Sequence, residues 1–309
     1  MSSNDFVSVV IPCYNQGRFL SEAIDSVLNQ THTQHELIVV DDGSIDVTES
    51  VARQYGAVRY IYQPNQGVSA ARNAGIRQSR GTYLTFLDAD DRLLPDALTA
   101  GIDCFRKSRS CGFVVGRYRN IATDGSLISG PNRPSGAHDF YDALLRGNII
   151  GVPATVLFRR AAVESVGGFN SRFTLGEDYD LALRIARTLP VVEHDSVIAE
   201  YRHHNQNATL NYRLCLRSSV AVLHEQWQYV KDNPQYKPAL RAGLANWKRH
   251  YAEMMIENLR KRVAGNGISW EVIQQSLSIV RYYPQFVGSR VSAASRNLHR
   301  ILRARSHKQ

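Results

Sequence analysis

The chain has 309 residues, 43% hydrophobic and 21% charged, which is the balance of an ordinary soluble globular protein. Its longest mostly apolar stretch, Ile149–Phe158, is too short to cross a bilayer and contains Pro153, and no internal repeat argues for a solenoid. The formal net charge of +9 is uneven: residues 281–309 hold six arginines, one lysine and no acid, leaving +2 for residues 1–280.

From Phe6 to Asp91 short apolar runs alternate with helical patterns. Val7–Ile11 ends in Pro12-Cys13-Tyr14-Asn15, Leu37–Val40 in Asp41-Asp42-Gly43-Ser44, and Tyr83–Leu87 in Asp88-Ala89-Asp90-Asp91. Runs of this length, rich in Val, Ile and Leu and bounded by turn residues, read as strands buried on both faces. Helices are expected over Arg18–Gln30, Asp46–Tyr55 and Val68–Ser79, with a strand at Val58–Tyr62. Asp46 and Glu49 have the spacing of a capping box. This βαβα order predicts a right-handed, mostly parallel sheet with helices on both faces. Open sheets of that kind bind ligands beyond the carboxyl ends of their strands, so all three polar clusters should share one edge.

Further along, the pattern predicts a helix over Pro95–Lys107, a strand at Phe113–Tyr118 and a surface loop over Asn120–Gly136. A strand at Ala154–Phe158, helices at Arg160–Val166 and Asp178–Thr188, and short strands at Val191–Glu193 and Val197–Tyr201 follow. After about Asn211 no buried-strand run remains, and helical patterns over Leu214–Val230 and Pro238–Val263 take over. The expected division is therefore an α/β domain over 1–210 and a helical region over 211–309.

Cys13, Cys104, Cys111 and Cys215 form no CxxC pair and read as reduced, buried thiols. No basic, apolar leader precedes the first strand, so a cytoplasmic location is expected, and the Asn29 and Asn207 sequons then carry no weight. Within Ser289–Arg305 the residues Val291, Ala294, Leu298, Ile301 and Leu302 fall on one helical stripe, with Arg296, His299, Arg300 and Arg303 away from it. A basic amphipathic helix can lie on an anionic membrane, here the inner face of the cell membrane, or pack its stripe on the domain. Nucleic acid is not an expected partner: the charge is a terminal run rather than a face with interleaved aromatics.

The chemistry sits at the strand ends. Asp88-x-Asp90 can hold Mg²⁺ or Mn²⁺, which is usually shared with a substrate phosphate. In order along the chain, residues 7–15 (Val-Ser-Val-Val-Ile-Pro-Cys-Tyr-Asn), 41–44 (Asp-Asp-Gly-Ser), 65–73 (Asn-x-Gly-x-x-x-Ala-Arg-Asn) and 86–91 (Phe-Leu-Asp-Ala-Asp-Asp) resemble the family 2 glycosyltransferases, which have the GT-A fold. Gly167-Gly168-Phe169, Gly176-Glu177-Asp178-Tyr179-Asp180 and Tyr201-Arg202-His203-His204 continue the likeness through about residue 210.

The resemblance implies roles position by position. Pro12, Tyr14 and Asn15 would line a nucleotide pocket with Asp41 and Asp42, and Arg72 would sit by the donor diphosphate. Asp88 and Ala89 would face the ribose or sugar, Asp90 would be the principal metal ligand, and His204, or its neighbour His203, would complete the metal shell. Gly168, Phe169 and Glu177 would lie on the acceptor side. Asp178 would be the base that takes the acceptor proton, although a carboxylate at a helix start is expected to have its pKa lowered by the dipole. The implied activity is metal-dependent, inverting transfer from a nucleotide-diphosphate sugar, a UDP-sugar by preference, to a saccharide or lipid-linked acceptor. Cell-surface polysaccharide or glycolipid synthesis would be the setting. An inactive sugar-nucleotide-binding scaffold at the membrane is the alternative, but it would be expected to have lost the DxD or the Glu-Asp pair.

Overall fold

The computed structural model describes residues 5–132, 135–266, 277, 281 and 282. The basic stripe of residues 289–305 lies outside the described residues. In chain order the elements are β1 (Val7–Cys13), α1 (Gly17–Leu28), β2 (His35–Asp41), α2 (Thr48–Ala52), β3 (Val58–Tyr62), α3 (Val68–Gln78), β4 (Tyr83–Phe86), β5 (Arg92–Leu93), α4 (Ala97–Lys107) and β6 (Phe113–Ile121). They continue with β7 (Leu127–Ser129), α5 (Phe140–Arg146), β8 (Val156–Arg159), α6 (Arg160–Ser165), α7 (Glu177–Ala186), β9 (Val191–Arg202), α8 (Tyr212–Val230) and α9 (Lys237–Asn266). The strands form one sheet in the order β3-β2-β1-β4-β8-β6-β9-β5, with β7 hairpinned onto β6.

The first half behaves as its hydrophobic pattern dictates. β3, β2, β1 and β4 are parallel, with Cys13 beside Asp41 and Asp41 beside Tyr62. Alternate side chains enter two cores, as the twofold repeat of a strand requires. Val10, Ile38 and Val40 face one side with α3, whereas Val7, Val9, Ile11, Leu37 and Val39 face the other with α1. Helix α1 buries Phe19, Leu20, Ala23, Ile24 and Val27, a single stripe at helical spacing.

The second half departs from a simple parallel reading. β8 runs antiparallel between β4 and β6, and β5 runs antiparallel to β9. The two short strands expected at 191–193 and 197–201 are one twelve-residue strand, β9, paired in parallel with β6 across irregular register near Val115–Tyr118. The expected loop over 120–136 contains the end of β6 and the exposed strand β7, whose Leu127-Ile128-Ser129 lacks an apolar face to bury. Helix α5 was not expected at all. Its apolar Phe140, Tyr141, Leu144 and Leu145 occupy only two turns, too short a window for periodicity to register.

Helices α8 and α9 complete the core on the α3 side. Val222, Leu223, Val230, Ala239 and Leu240 are buried in the cluster that holds Val10, Phe86 and Tyr179. Helix α9 approaches α5 so closely that a Cβ at Gly243 would lie 1.9 Å from the Leu145 carbonyl oxygen. Backbone cannot move aside as a flexible side chain does, so Gly243→Ala should cost about 1–3 kcal/mol by overpacking. Thermal unfolding should register this as a lower Tm; an unchanged Tm would show that the two helices separate freely.

Candidate active site at the carboxyl edge of the sheet

Because β1, β2 and β4 are parallel neighbours, their carboxyl ends deliver Pro12-Cys13-Tyr14-Asn15, Asp41-Asp42 and Asp88-Ala89-Asp90-Asp91 to one edge. Arg202, His203 and His204 arrive at the same edge from the end of β9, where the His204 ring meets Asp90.

On the β1–β2 side the turn is tightly wired. Asn15 adopts φ +54°, its N–H donates to Ser44 Oγ at 2.9 Å, and its Oδ1 accepts from Ile45 N at 2.9 Å. Tyr14 stands 52% exposed beside it, open to a ligand. Asp41 is buried: Oδ1 accepts from Ser44 N at 2.8 Å and Oδ2 from the Tyr60 hydroxyl at 2.7 Å. Asp42, also buried, accepts from Gln63 Nε2, Gln66 N and Gly67 N at 2.7–2.9 Å, which fixes the loop leading into α3. The Asp46–Glu49 capping box does not form. Asp46 instead accepts from Thr48 N and Oγ1 and, across the turn, from Gly17 N, and Glu49 pairs with Arg53. Serving two segments with one carboxylate satisfies more orphan N–H groups than a box at the start of a five-residue helix would.

At the centre lies Arg72, 2% exposed on α3. One end of its guanidinium donates to Asp88 Oδ1 at 2.6 Å and the other pairs with Glu177 at the start of α7. The Phe169 ring lies 5.2 Å from the guanidinium, and against the opposing effect of burial the carboxylates of Asp88 and Glu177 keep the cation charged. Asn73, the next residue, pins the Gly168-Phe169 turn with both amide atoms: Nδ2 donates to Phe169 O at 2.8 Å and Oδ1 accepts from Phe169 N at 2.9 Å. Gly168 has φ +73°, and a Cβ there would lie 2.6 Å from Asn73 Oδ1, so this position requires glycine twice over.

Asp90 and His204 form the second centre. His204 Nε2 and Asp90 Oδ2 are 2.8 Å apart, and the imidazole packs 5.1 Å from the Phe19 ring. His203 turns the other way, 2.8 Å from Asn120 Oδ1 and against Tyr201. Geometry therefore separates two histidines that spacing left equivalent. Asp88 is held by Arg72 rather than by this pair. Among the described residues no group of three His, Cys, Asp or Glu side chains makes a closed metal cage. A carboxylate and an imidazole are donors that Mn²⁺ accepts, and an open shell is the usual arrangement where substrate phosphate supplies the remaining oxygens.

Asp178 sits one residue beyond Glu177, half-buried, beside a narrow apolar crevice of about 10 Å³ lined by Phe86, Ile150, Phe158 and Phe169. Its pKa is pushed up to about 7, first by burial and then by the neighbouring Glu177, against the opposing pull of Arg72. The expected lowering by the helix start is overturned. The dipole acts within the first turn and is worth a fraction of what desolvation costs a carboxylate.

Sequence patterns barely announce the lattice that ties β5 and β9 to this edge. Arg202, wholly buried, donates to Asp90 O, Thr123 O and Glu22 Oε2 at 2.7–2.8 Å, and its N–H reaches Asp91 Oδ1. Glu200 accepts from Arg92 and Arg119. The only signal was the alternation of Glu200 and Arg202 along a strand, a pattern normally read as a solvated face.

A doubly wound sheet with a DxD turn, a partnered histidine and a buried Arg–carboxylate clamp at its carboxyl edge defines a nucleotide-sugar-type α/β protein of the GT-A class. The model of glycosyl transferase family 2 matches residues 8–167, and the chain belongs to that family. Its sequence is 32% identical over 209 residues to a chondroitin synthase of Escherichia coli, covering 66% of this chain and 30% of the relative. It is 33% identical over 185 residues to a hyaluronan synthase of Pasteurella multocida, covering 58% and 18% respectively, so the chain spans under a third of either relative. In three dimensions it is similar to Staphylococcus aureus TarS 1–349 (TM-score 0.63, 18% identity, covering 93% of this chain and 82% of that one). It is also similar to the mannosyltransferase PcManGT of Pyrobaculum calidifontis, solved with GDP-Man and Mn²⁺ (TM-score 0.61, 20% identity, 94% and 86%). Those likenesses establish the fold.

Two outcomes follow from the clamp. Glu177→Gln, which keeps shape but removes the charge that Arg72 pairs with, should lower stability by about 1.5–3 kcal/mol in denaturant titration. Arg72→Ala, which leaves two carboxylates without their cation, should cost about 3–5 kcal/mol. Equal stability of all three proteins would remove the clamp from the account.

Proposed function

We propose that the protein transfers a sugar from a nucleotide-diphosphate donor, a UDP-sugar by preference, to a hydroxyl of a saccharide or lipid-linked acceptor, with inversion at the anomeric carbon. The observation that carries this reading is the position of Asp178: a carboxyl with its pKa near 7, next to the Arg72 clamp and at the same sheet edge as Asp90 and His204. A base poised near operating pH, close to a phosphate-suited edge, is what single displacement needs.

In that mechanism Tyr14 and the Asn15–Ser44 turn receive the base and Asp42 keeps the adjoining loop in place. Asp90 and His204 would hold a divalent cation, Mn²⁺ or Mg²⁺, whose charge would offset that of the departing diphosphate. Arg72 orients Asp88 on the donor side and Glu177 on the acceptor side. Asp178 takes the proton of the attacking hydroxyl as the glycosidic bond to the diphosphate breaks. TarS has been solved with UDP and with UDP-GlcNAc, which supports a uridine donor here, whereas the GDP-Man complex of PcManGT makes guanosine the arm to test against it. The polysaccharide synthases among the relatives support a saccharide acceptor at the cell surface. Among the described residues no helix is long and apolar enough to cross a membrane, so contact with the inner face would fall to the basic segment 281–309.

Isothermal titration of UDP, GDP and dTDP with and without Mn²⁺ tests the donor side. Metal-dependent binding that favours UDP is expected; no binding of any nucleotide would return the edge to architecture. Asp178→Asn should bind the nucleotide and lose turnover by orders of magnitude, and near wild-type turnover would remove the base role. The sign of the pH dependence follows from the raised pKa. Asp178 is protonated below about 7, so kcat/KM should fall roughly tenfold per pH unit below that value and level off above it. A flat profile between pH 5 and 8 would contradict the assignment.

A further inference from the structure

A second opening lies beside the base, between α5 and α9. It encloses about 320 Å³ and is lined by Arg146, Asn148, Asn246, Trp247, Arg249 and His250, among others. That volume is at the lower end of the range, about 300–1,000 Å³, usual for small-molecule sites. We propose that this cleft is the subsite for the acceptor saccharide, holding the sugar units behind the hydroxyl that reacts; the proposal rests on the glycosyl-transfer reading above.

Three observations carry it. The cleft adjoins the crevice beside Asp178: Asn148 lines both this opening and the apolar crevice that Asp178 borders. Trp247 reaches the same place from the other side, its ring 6.1 Å from that of Tyr179, the residue after Asp178. The walls are also fixed. Asn148 Oδ1 accepts from Ile150 N at 3.1 Å and Gly151 N at 3.3 Å, Asn246 Nδ2 donates to Arg146 O at 3.3 Å, and α9 is locked on α5 by the close approach at Gly243. Finally, the chemistry suits sugars. Trp247 stacks on Tyr251 with ring centroids 5.4 Å apart and 13° between planes, an aromatic step of the kind against which the C–H face of a pyranose packs. Around it stand amide, guanidinium, imidazole and carboxylate groups (Asn246, Arg249, His250 and Glu253), which pair with ring hydroxyls. Arg146 is already paired with Asp142, whereas Arg249 makes a hydrogen bond to Asn246 Oδ1 and no ion pair among the described residues. Arg249 is therefore the donor most available to a ligand.

This placement assigns a task to α9, which lies beyond the segment matched by the family model. The strand edge handles the nucleotide, and the helical region selects what receives the sugar.

The test uses the full chain and an array of defined oligosaccharides, neutral and uronate-containing, with UDP–Mn²⁺ titration run in parallel. The wild-type protein is expected to bind a subset of the saccharides. Arg249→Ala and His250→Ala, both at exposed helix positions, should each weaken that binding at least tenfold, several times more than they weaken UDP binding. Trp247→Phe should lie between them and the wild type. Saccharide binding that survives Arg249→Ala and His250→Ala, or nucleotide binding with no saccharide bound at all, overturns the subsite. If no nucleotide binds but saccharide binding is present and sensitive to Arg249→Ala, the subsite stands and the donor reading fails.

Discussion

The junction between the DxD turn and the start of α7 depends on one buried cation. Arg72 is almost sealed from water, and an unpaired guanidinium there would cost several kcal/mol. Two carboxylates from different parts of the chain, Asp88 after β4 and Glu177 at the start of α7, offset that cost, and neither could be gathered so closely without the cation between them. The ion pairs thus set the distance between the DxD turn and the helix that presents Asp178. Phe169, held by Asn73, closes the guanidinium from one side, so the clamp, the Gly167-Gly168-Phe169 turn and the Glu-Asp pair are one mechanical unit.

Burial first, and then the charge balance of that unit, explain the raised Asp178 pKa. Arg72 neutralises one of its two bound carboxylates, which leaves a net negative charge beside a third carboxyl in a poorly hydrated place. Like charges in a low-dielectric pocket cannot all ionise, and the group with no direct cation contact holds its proton longest. Asp178 is that group: its Oδ1 accepts from the backbone N–H of Tyr179 at 2.8 Å, and no cation pairs with it among the described residues. A carboxyl that titrates near neutral pH therefore arises from the same arrangement that fixes the fold at this edge, without a dedicated device.

How far the sequence could be read follows from what each element buries. β1, β2, β3 and β4 were legible, since strands covered on both faces must be apolar and turn residues must follow them. The polar residues at their ends came to one edge with them. The role of Arg202 was not legible. It is buried by acceptors from α1, from the DxD turn and from the segment after β6, and no local pattern announces three distant partners. The division of labour between His203 and His204 was equally hidden, because it depends on which face of a strand end turns inward. The antiparallel insertion of β8 between β4 and β6 was missed for a related reason: an apolar run says that a strand is covered, not which way it runs.

The helical region reads differently in sequence and in space. Loss of strand patterns after residue 210 suggested a separate unit, yet Val222, Leu223, Ala239 and Leu240 share a core with Phe86 and Phe158 from the sheet. Composition marks a change of secondary structure; only packing tells whether a core has been divided. Since α7 carries Asp178 on one face and packs against α5, α6 and α8 on others, this carboxyl is held between the sheet and the C-terminal helices. Variation in those helices would then alter what approaches Asp178 while the Arg72 clamp and the Asp90–His204 pair stay as they are. On the proposed reading, donor chemistry would be fixed by the strand ends, and acceptor choice would vary in the helices behind them.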